Sequence, residues 1–250
     1  MRLFRAIQPE IDRFDIRLEN VTFGYIKDIN IVKGVSFHIK EQSKVALVGA
    51  AGSGKTTLTG LIARMWDPKK GRIKIGGTDI TRIPQRQLIR YIDILSVSQP
   101  LPDDTLYNAI RSANPEATED QIFDAAEKAR VIDFAWELPD GMHTQLQHPE
   151  YRLSDDEKLR IHMARALLKK APILILDETI TVSDPTNRIY IEKAKQELLN
   201  GKTVIIITRD PETIKNVDQV LVMNDGKLEE HSDAVFYSNH TQQWNLRLEF

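Results

Sequence analysis

"KVALVGAAGSGKTTLTGLIARMW", residues 44 to 66, decides the fold. It opens on "KVALV" (44–48), a short apolar run of the kind that forms a buried strand. It passes through "GAAGSGKT" (49–56) and closes on "TTLTGLIARMW", which reads as a helix. The loop fits G-x-x-x-x-G-K-[ST], and it stands between strand and helix, the context in which that motif holds phosphate. Glycines let the backbone wrap an anion, and the amides of the loop and of the helix start point at it. Gly49, Ala50, Ala51, Gly52, Ser53, Gly54, Lys55, Thr56 and Thr57 are therefore the candidate cradle. Lys55 is placed to reach β- and γ-phosphates, and Thr56 to offer a hydroxyl to Mg²⁺. The plainer alternative is a glycine-rich turn that holds nothing.

Further along, "ILILDE" (173–178) complements the loop. Four apolar strand residues end in Asp177, positioned to hold magnesium directly or through water. Glu178 follows as a candidate base for the attacking water. Taken alone, two acids after a strand are as readily the cap of the next helix.

The other segments arrange themselves around these two. "IRLENVTFGY" (16–25) and "VSFHIK" (35–40) alternate apolar and polar, as half-buried strands do. "GRIKIGGTDI" (71–80) reads as a hairpin turning at Gly76-Gly77. "IDILSVSQ" (92–99) predicts a strand. From about 104 to 170 the pattern turns helical, with one long helix expected over 119–138. Strands return at 173–176, 203–208 and 219–223. Buried strands alternating with helices imply an α/β fold with a mainly parallel sheet covered on both faces. The early hairpins add an antiparallel flank.

Composition sets the outer limits. The chain has 250 residues, 41% hydrophobic and 28% charged, enough for a real core in one domain or one domain with lobes. A formal net charge of -2 gives no general attraction to nucleic acid. The absence of cysteine excludes disulfides, cysteine-ligated zinc and thiol catalysis. No run reaches the roughly 18 apolar residues of a membrane span. Residues 1–14 carry charges where a signal peptide has its apolar centre, and read as a helical stub and polar linker. His143, His148 and His162 show no metal-ligand spacing.

In order and spacing, these motifs resemble the nucleotide-binding domain of ABC transporters of the exporter type. Tyr25, 24 residues before Gly49, stands where the family has an aromatic that stacks on adenine; the alternative is a core aromatic of its strand. Gln99 in "VSQP" matches the family's Q-loop glutamine, which touches Mg²⁺. "AAEKARVIDFAWELPDGMHTQL" (125–146) is similar to the exporter helical lobe, and "ARALLKKAPILILDE" (164–178) to the family's usual wording. "KTVIIITRDPETIKNVDQVLVMNDGKLEEH" (202–231) follows its C-terminal strands. The resemblance implies a RecA-like P-loop NTPase core over 15–250 with an inserted helical lobe at about 104–165. It implies ATP and Mg²⁺ as ligands, with Thr56, Gln99 and Asp177 at the metal. It also implies a transmembrane domain, fused or separate, with residues 1–14 as the linker from it. The domain would then lie on the cytoplasmic face of a membrane. In the family two such domains pair head to tail, each ATP held between one phosphate loop and the other domain's L-S-G-G-Q signature.

The signature is where this chain departs from the pattern. It reads "LSDDE", with Leu153 and Ser154 kept and Asp155, Asp156 and Glu157 in place of the two glycines and the glutamine. Ser154 and Glu157 have the spacing of a capping box. The two aspartates in the first turn favour the helix dipole by ~0.3–1 kcal/mol each. Such a start repels a triphosphate. The switch histidine falls on Arg209, read either as a solvated side chain or as a phosphate contact. "TQLQHPE" (144–150) replaces the segment before the signature, and "TITVSD" (179–184) keeps only Asp184 of the loop after Glu178. Two roles follow. One is an ATPase engine served by a second nucleotide-binding domain with an intact signature. The other is a non-hydrolysing regulatory subunit of a heterodimeric transporter.

Overall fold

The computed structural model describes residues 10–96, 99–147, 151–177 and 185–231, the side chains of 185–190 and 229–231 excepted. The chain forms β1 (Ile16–Phe23), β2 (Val32–Ile39), β3 (Lys44–Val48), α1 (Lys55–Ile62), β4 (Lys70–Ile75), β5 (Thr78–Asp79) and α2 (Gln85–Tyr91). Next come β6 (Ile92–Leu95), α3 (Leu106–Arg111), α4 (Glu119–Lys128), α5 (Val131–Ala135) and α6 (Asp155–Lys169). The last elements are β7 (Ile173–Asp177), α7 (Pro185–Leu199), β8 (Thr203–Ile207), α8 (Pro211–Lys215), β9 (Gln219–Asn224) and β10 (Lys227–His231). Two compact units result. One holds Met1–Ile92, Pro172–Ile175 and Gly201–Phe250; the other holds Asp93–Ala171 and Leu176–Asn200.

In the first unit a small antiparallel sheet has the order β2-β1-β4-β5. Alternation along β1 buries Ile16 and Leu18, then Val21 and Phe23. The step of three between Leu18 and Val21 is a bulge, where the pairing with β2 shifts register and Asn20 takes φ 51. The extra residue keeps both apolar pairs on one face. The β4–β5 turn is Gly76-Gly77 with φ 55 and 77, the left-handed pair that a tight hairpin requires and glycine supplies without strain. Ile11 is buried, and the Phe14 ring meets Tyr91 at 5.2 Å, so residues 11–14 pack onto this unit.

The larger sheet runs β10-β9-β3-β8-β7-β6. Within it β3 is parallel to both β8 and β9, with Val45 opposite Ile205 on one side and Gln219 on the other. A strand so enclosed is buried on both faces, which is why "KVALV" is an apolar run and not an alternation. Ala46 and Val48 pack with Ile214, Val220 and Val222 on one side of the sheet. Leu58, Leu61 and Ile62 of α1 are fully buried, about 1.5–3 kcal/mol each by area. That burial fixes the helix directly after the loop that leaves β3.

The second unit is mainly helical, and two expectations change there. The single helix over 119–138 is two, α4 and α5, broken at Arg130 with φ 60. The Arg130 carbonyl at the break accepts from the guanidinium of buried Arg160 on α6, at 3.3 Å. The strand expected over 92–99 ends at Leu95. The Gln99 amide donates to the Ser96 carbonyl at 3.1 Å, a turn bond that an extended strand would not make.

Candidate functional site

Gly49 leaves the end of β3 with φ 150, and a Cβ there would lie 2.2 Å from the Met223 carbonyl oxygen. Only glycine fits at that approach. Gly54, with φ 102, ends the loop and starts α1. The Gly226 amide donates to the Ser53 carbonyl at 3.2 Å, tying the β9–β10 turn to the loop. The Lys55 ammonium lies inside the ring of the loop. It donates to the carbonyls of Gly49 at 2.8 Å and Ala50 at 2.7 Å, and to Ser53 Oγ at 3.3 Å. The charge is thus held at the centre of the cradle by backbone oxygens. No side chain caps the start of α1, and no acid stands in its first turn. A helix start of this kind attracts an anion through its unpaired amides and its dipole. Thr56 is exposed, and its hydroxyl makes no hydrogen bond among the described residues. Buried Thr57 turns the other way, toward Tyr25.

Tyr25 is no core aromatic, since 53% of it is exposed. Its phenol lies 3.1 Å from Thr57 Oγ1, so the ring is anchored to the first turn of α1. Phe23 and Trp66 meet it at ring-centroid distances of 5.2 and 5.1 Å, both nearly perpendicular.

The start of α6 is built the opposite way. Ser154 Oγ accepts the Glu157 amide at 3.2 Å, and Glu157 Oε2 accepts the Ser154 amide at 2.7 Å, so the capping box read from the sequence is present. Ser154 Oγ also donates to Glu157 Oε2 at 2.8 Å, and Tyr151 donates its phenol proton to Glu157 Oε1. Burial of the ring and this bond to the carboxylate hold Tyr151 above the usual phenol range. Asp155 pairs with Lys158 at 2.9 Å, and Asp156 completes three acids in the first turn. The two helix starts therefore differ in every respect that matters to a phosphate: α1 is uncapped and free of acids, and α6 is doubly capped and triply acidic.

The remaining candidates sit on separate elements. Gln99 is half-buried, and its backbone lies beside His162 on α6. His162 is buried, and that burial foremost, with Arg165 beside it, lowers its pKa and keeps it neutral. Asp177 is the last residue of β7. Arg209 is exposed two residues past β8, and its side chain makes no hydrogen bond or ion pair among the described residues. Its neighbour Asp210 caps α8. Glu178, His148 and Asp184 lie outside the described residues. Among the described residues no group of His, Asp and Glu could by itself hold a metal ion. No helix among them is long and apolar enough to cross a membrane.

A family model described as ABC transporter matches residues 32–181, which contain the loop, helices α3 to α6 and β7. The chain belongs to the ABC transporter family. It carries that family's ATP-binding, ATPase-type domain in a P-loop NTPase fold. The ATP-dependent lipid A-core flippase of Francisella novicida is 36% identical over 217 residues, 86% of this chain and 36% of that protein. The mitochondrial iron-sulfur clusters transporter ATM1 of Kluyveromyces lactis is 33% identical over 246 residues, 96% of this chain and 34% of that protein. A bacterial Atm1-family ABC exporter solved with ATP bound superposes with a TM-score of 0.86 at 31% identity, over 97% of this chain and 44% of that one. The chain spans little more than a third of the length of these curated relatives.

Two parts of this ABC domain escaped sequence reasoning. Trp66, packed over Gly60, meets Tyr25 from another segment, and no helical or strand period links the three. Tyr151 reaches Glu157 across six residues, a spacing that no helical or strand period signals.

Proposed function

We propose that this chain binds Mg-ATP at the loop from Gly49 to Thr57 and couples its binding and hydrolysis to transport by a membrane-embedded ABC exporter. The observation that carries this reading is the contrast between the two helix starts. The α1 start, uncapped and with Lys55 centred by two loop carbonyls, suits a triphosphate. The α6 start, capped by its own side chains, does not suit the γ-phosphate of a partner's ATP. The chain therefore supplies one sound nucleotide site and one degenerate one. It works with a second nucleotide-binding domain that brings an intact signature, and with a transmembrane domain, on the cytoplasmic face of the membrane.

The residues fit magnesium as the nucleotide's companion. The Thr56 hydroxyl is exposed and unengaged, and Asp177 ends a strand, where α/β sheets gather their ligands. On the family resemblance, Thr56, Asp177 and Gln99 are the residues proposed to hold the ion, which would offset phosphate charge. Tyr25 offers its exposed ring to adenine, Glu178 polarises the attacking water, and Arg209, at the position of the switch histidine, is either a phosphate contact or a solvated side chain. The relatives' names give unlike cargoes, lipid A-core and iron-sulfur clusters, on similar ATP-binding domains. The domain's part is then the supply of energy, with cargo chosen elsewhere.

The closed α6 start also favours a second reading, a regulatory subunit that binds ATP without turning it over. Titration calorimetry with Mg-ATP tests the shared part: the unmodified chain binds, and Lys55→Ala abolishes or greatly weakens binding. Equal affinity of the two proteins would refute the loop assignment. Turnover beside a domain with an intact signature separates the two roles. Loss of that turnover on Glu178→Gln supports the engine, and turnover unaffected by it supports the regulator.

A further inference from the structure

The support beneath Tyr25 is more elaborate than adenine stacking alone requires. Tyr25 is fixed at three points. Its phenol lies 3.1 Å from Thr57 Oγ1, on the turn of α1 that carries Lys55. Phe23 meets the ring at 5.2 Å and 87°, and Trp66 meets it at 5.1 Å and 84°. Phe23 and Trp66 also meet each other at 6.0 Å. Edge-to-face contacts of this kind are favourable because a positive ring edge meets a negative face.

Trp66 is itself seated on α1. Gly60 is a buried glycine within that helix, a residue the helix does not favour. A Cβ at Gly60 would come within 2.5 Å of Trp66 Cζ3 and 3.2 Å of Cε3. The missing side chain is the space the indole fills. One helix thus sets both ends of the nucleotide site. Its first turn carries Lys55 and the hydroxyl that holds Tyr25, and its second turn carries the gap that seats Trp66.

We propose that Trp66, seated on Gly60, is a positioning residue that fixes the Tyr25 ring at a set distance from the phosphate cradle, so that recognition of the base is tied to recognition of the phosphates. The indole does not touch the nucleotide; it acts through Tyr25. This rests on the reading of residues 49–57 as a phosphate cradle and of Tyr25 as its adenine platform, and it assigns those two sites a shared mechanical base.

The test compares Mg-ATP with inorganic tripolyphosphate, which carries phosphates and no base, by titration calorimetry on the full chain. Trp66→Ala should weaken ATP roughly three- to tenfold, the range of an aromatic pair's worth, and leave tripolyphosphate affinity unchanged. Trp66→Phe, which keeps a ring edge, should restore most of the loss. Gly60→Ala should reproduce the ATP-only loss by displacing the indole with no aromatic removed, and it serves as the independent variant if Trp66→Ala does not fold. Equal losses for both ligands would reduce Trp66 to general support of the unit and overturn the proposal. So would an ATP affinity that neither variant changes. If the unmodified chain binds no tripolyphosphate, the phosphate-cradle reading fails, and the inference falls with it.

Discussion

Giving α6 the family's signature should cost stability. The variant is Asp155→Gly, Asp156→Gly, Glu157→Gln. Its two glycines enter the first turn of a 15-residue helix, at up to about 1 kcal/mol each. Three acids leave the positive end of the dipole, at about 0.3–1 kcal/mol each. The Asp155–Lys158 pair, its carboxylate 71% exposed, contributes at most about 1 kcal/mol. Glutamine can still reach back to the Ser154 amide, so the capping box weakens without disappearing. A net loss of about 2–4 kcal/mol is expected, for a drop in melting temperature of about 5–15 °C in a domain of this size. Thermal unfolding followed by circular dichroism measures it. High salt should shrink the part due to charge, because exposed charges are screened. The control Asp155→Ala, Asp156→Ala removes two of the three charges without adding glycine, and should lose roughly half as much. A repaired variant that melts with the unmodified chain would show that the acids do not stabilise this helix start, and the reasoning from caps would fail.

Other consequences are open to simpler tests. Tyr25→Ala should weaken Mg-ATP binding several-fold in a fluorescence or calorimetric titration, with the far-ultraviolet spectrum unchanged, because the exposed ring lies outside the core. Tyr151 is held above the ordinary phenol range by burial and by its bond to Glu157, so the unfolded chain loses this proton first as pH rises. Its contribution to stability is therefore present below pH of about 10 and is lost as pH climbs toward the folded value. Absorbance at 295 nm should show one of the six tyrosines ionising late, and Tyr151→Phe should remove that late phase.

What could be read in advance was what local rules write. The turn at Gly76-Gly77, the run of β3, the loop after it and the box from Ser154 to Glu157 all depend on residues within a few positions of one another. The misses depend on residues far apart in sequence. Nothing near Arg130 breaks a helix; the break is accommodated by Arg160, thirty residues on. The β1 bulge at Asn20 is settled by pairing with β2. The strand begun at Ile92 ends at Leu95, and the Gln99 amide then bonds back to the Ser96 carbonyl. The platform under Tyr25 is assembled from residues 23, 25, 57, 60 and 66, and no single period links them.

The central claim is that one helix start of this chain accepts a triphosphate and the other refuses one. In a pair of identical chains, each ATP would face Asp155, Asp156 and Glu157 of its neighbour. At an effective dielectric of about 20, each pair of like unit charges at about 4 Å opposes closure by roughly 4 kcal/mol before magnesium and Lys55 offset part of it. The direct measurement is static light scattering of the full chain with Mg-ATP, made in the Glu178→Gln background to suppress turnover. The account predicts a monomer that binds ATP, and an ATP-dependent dimer only once Asp155→Gly, Asp156→Gly and Glu157→Gln are added. A stable ATP-dependent dimer of the chain with its acidic signature intact would contradict it.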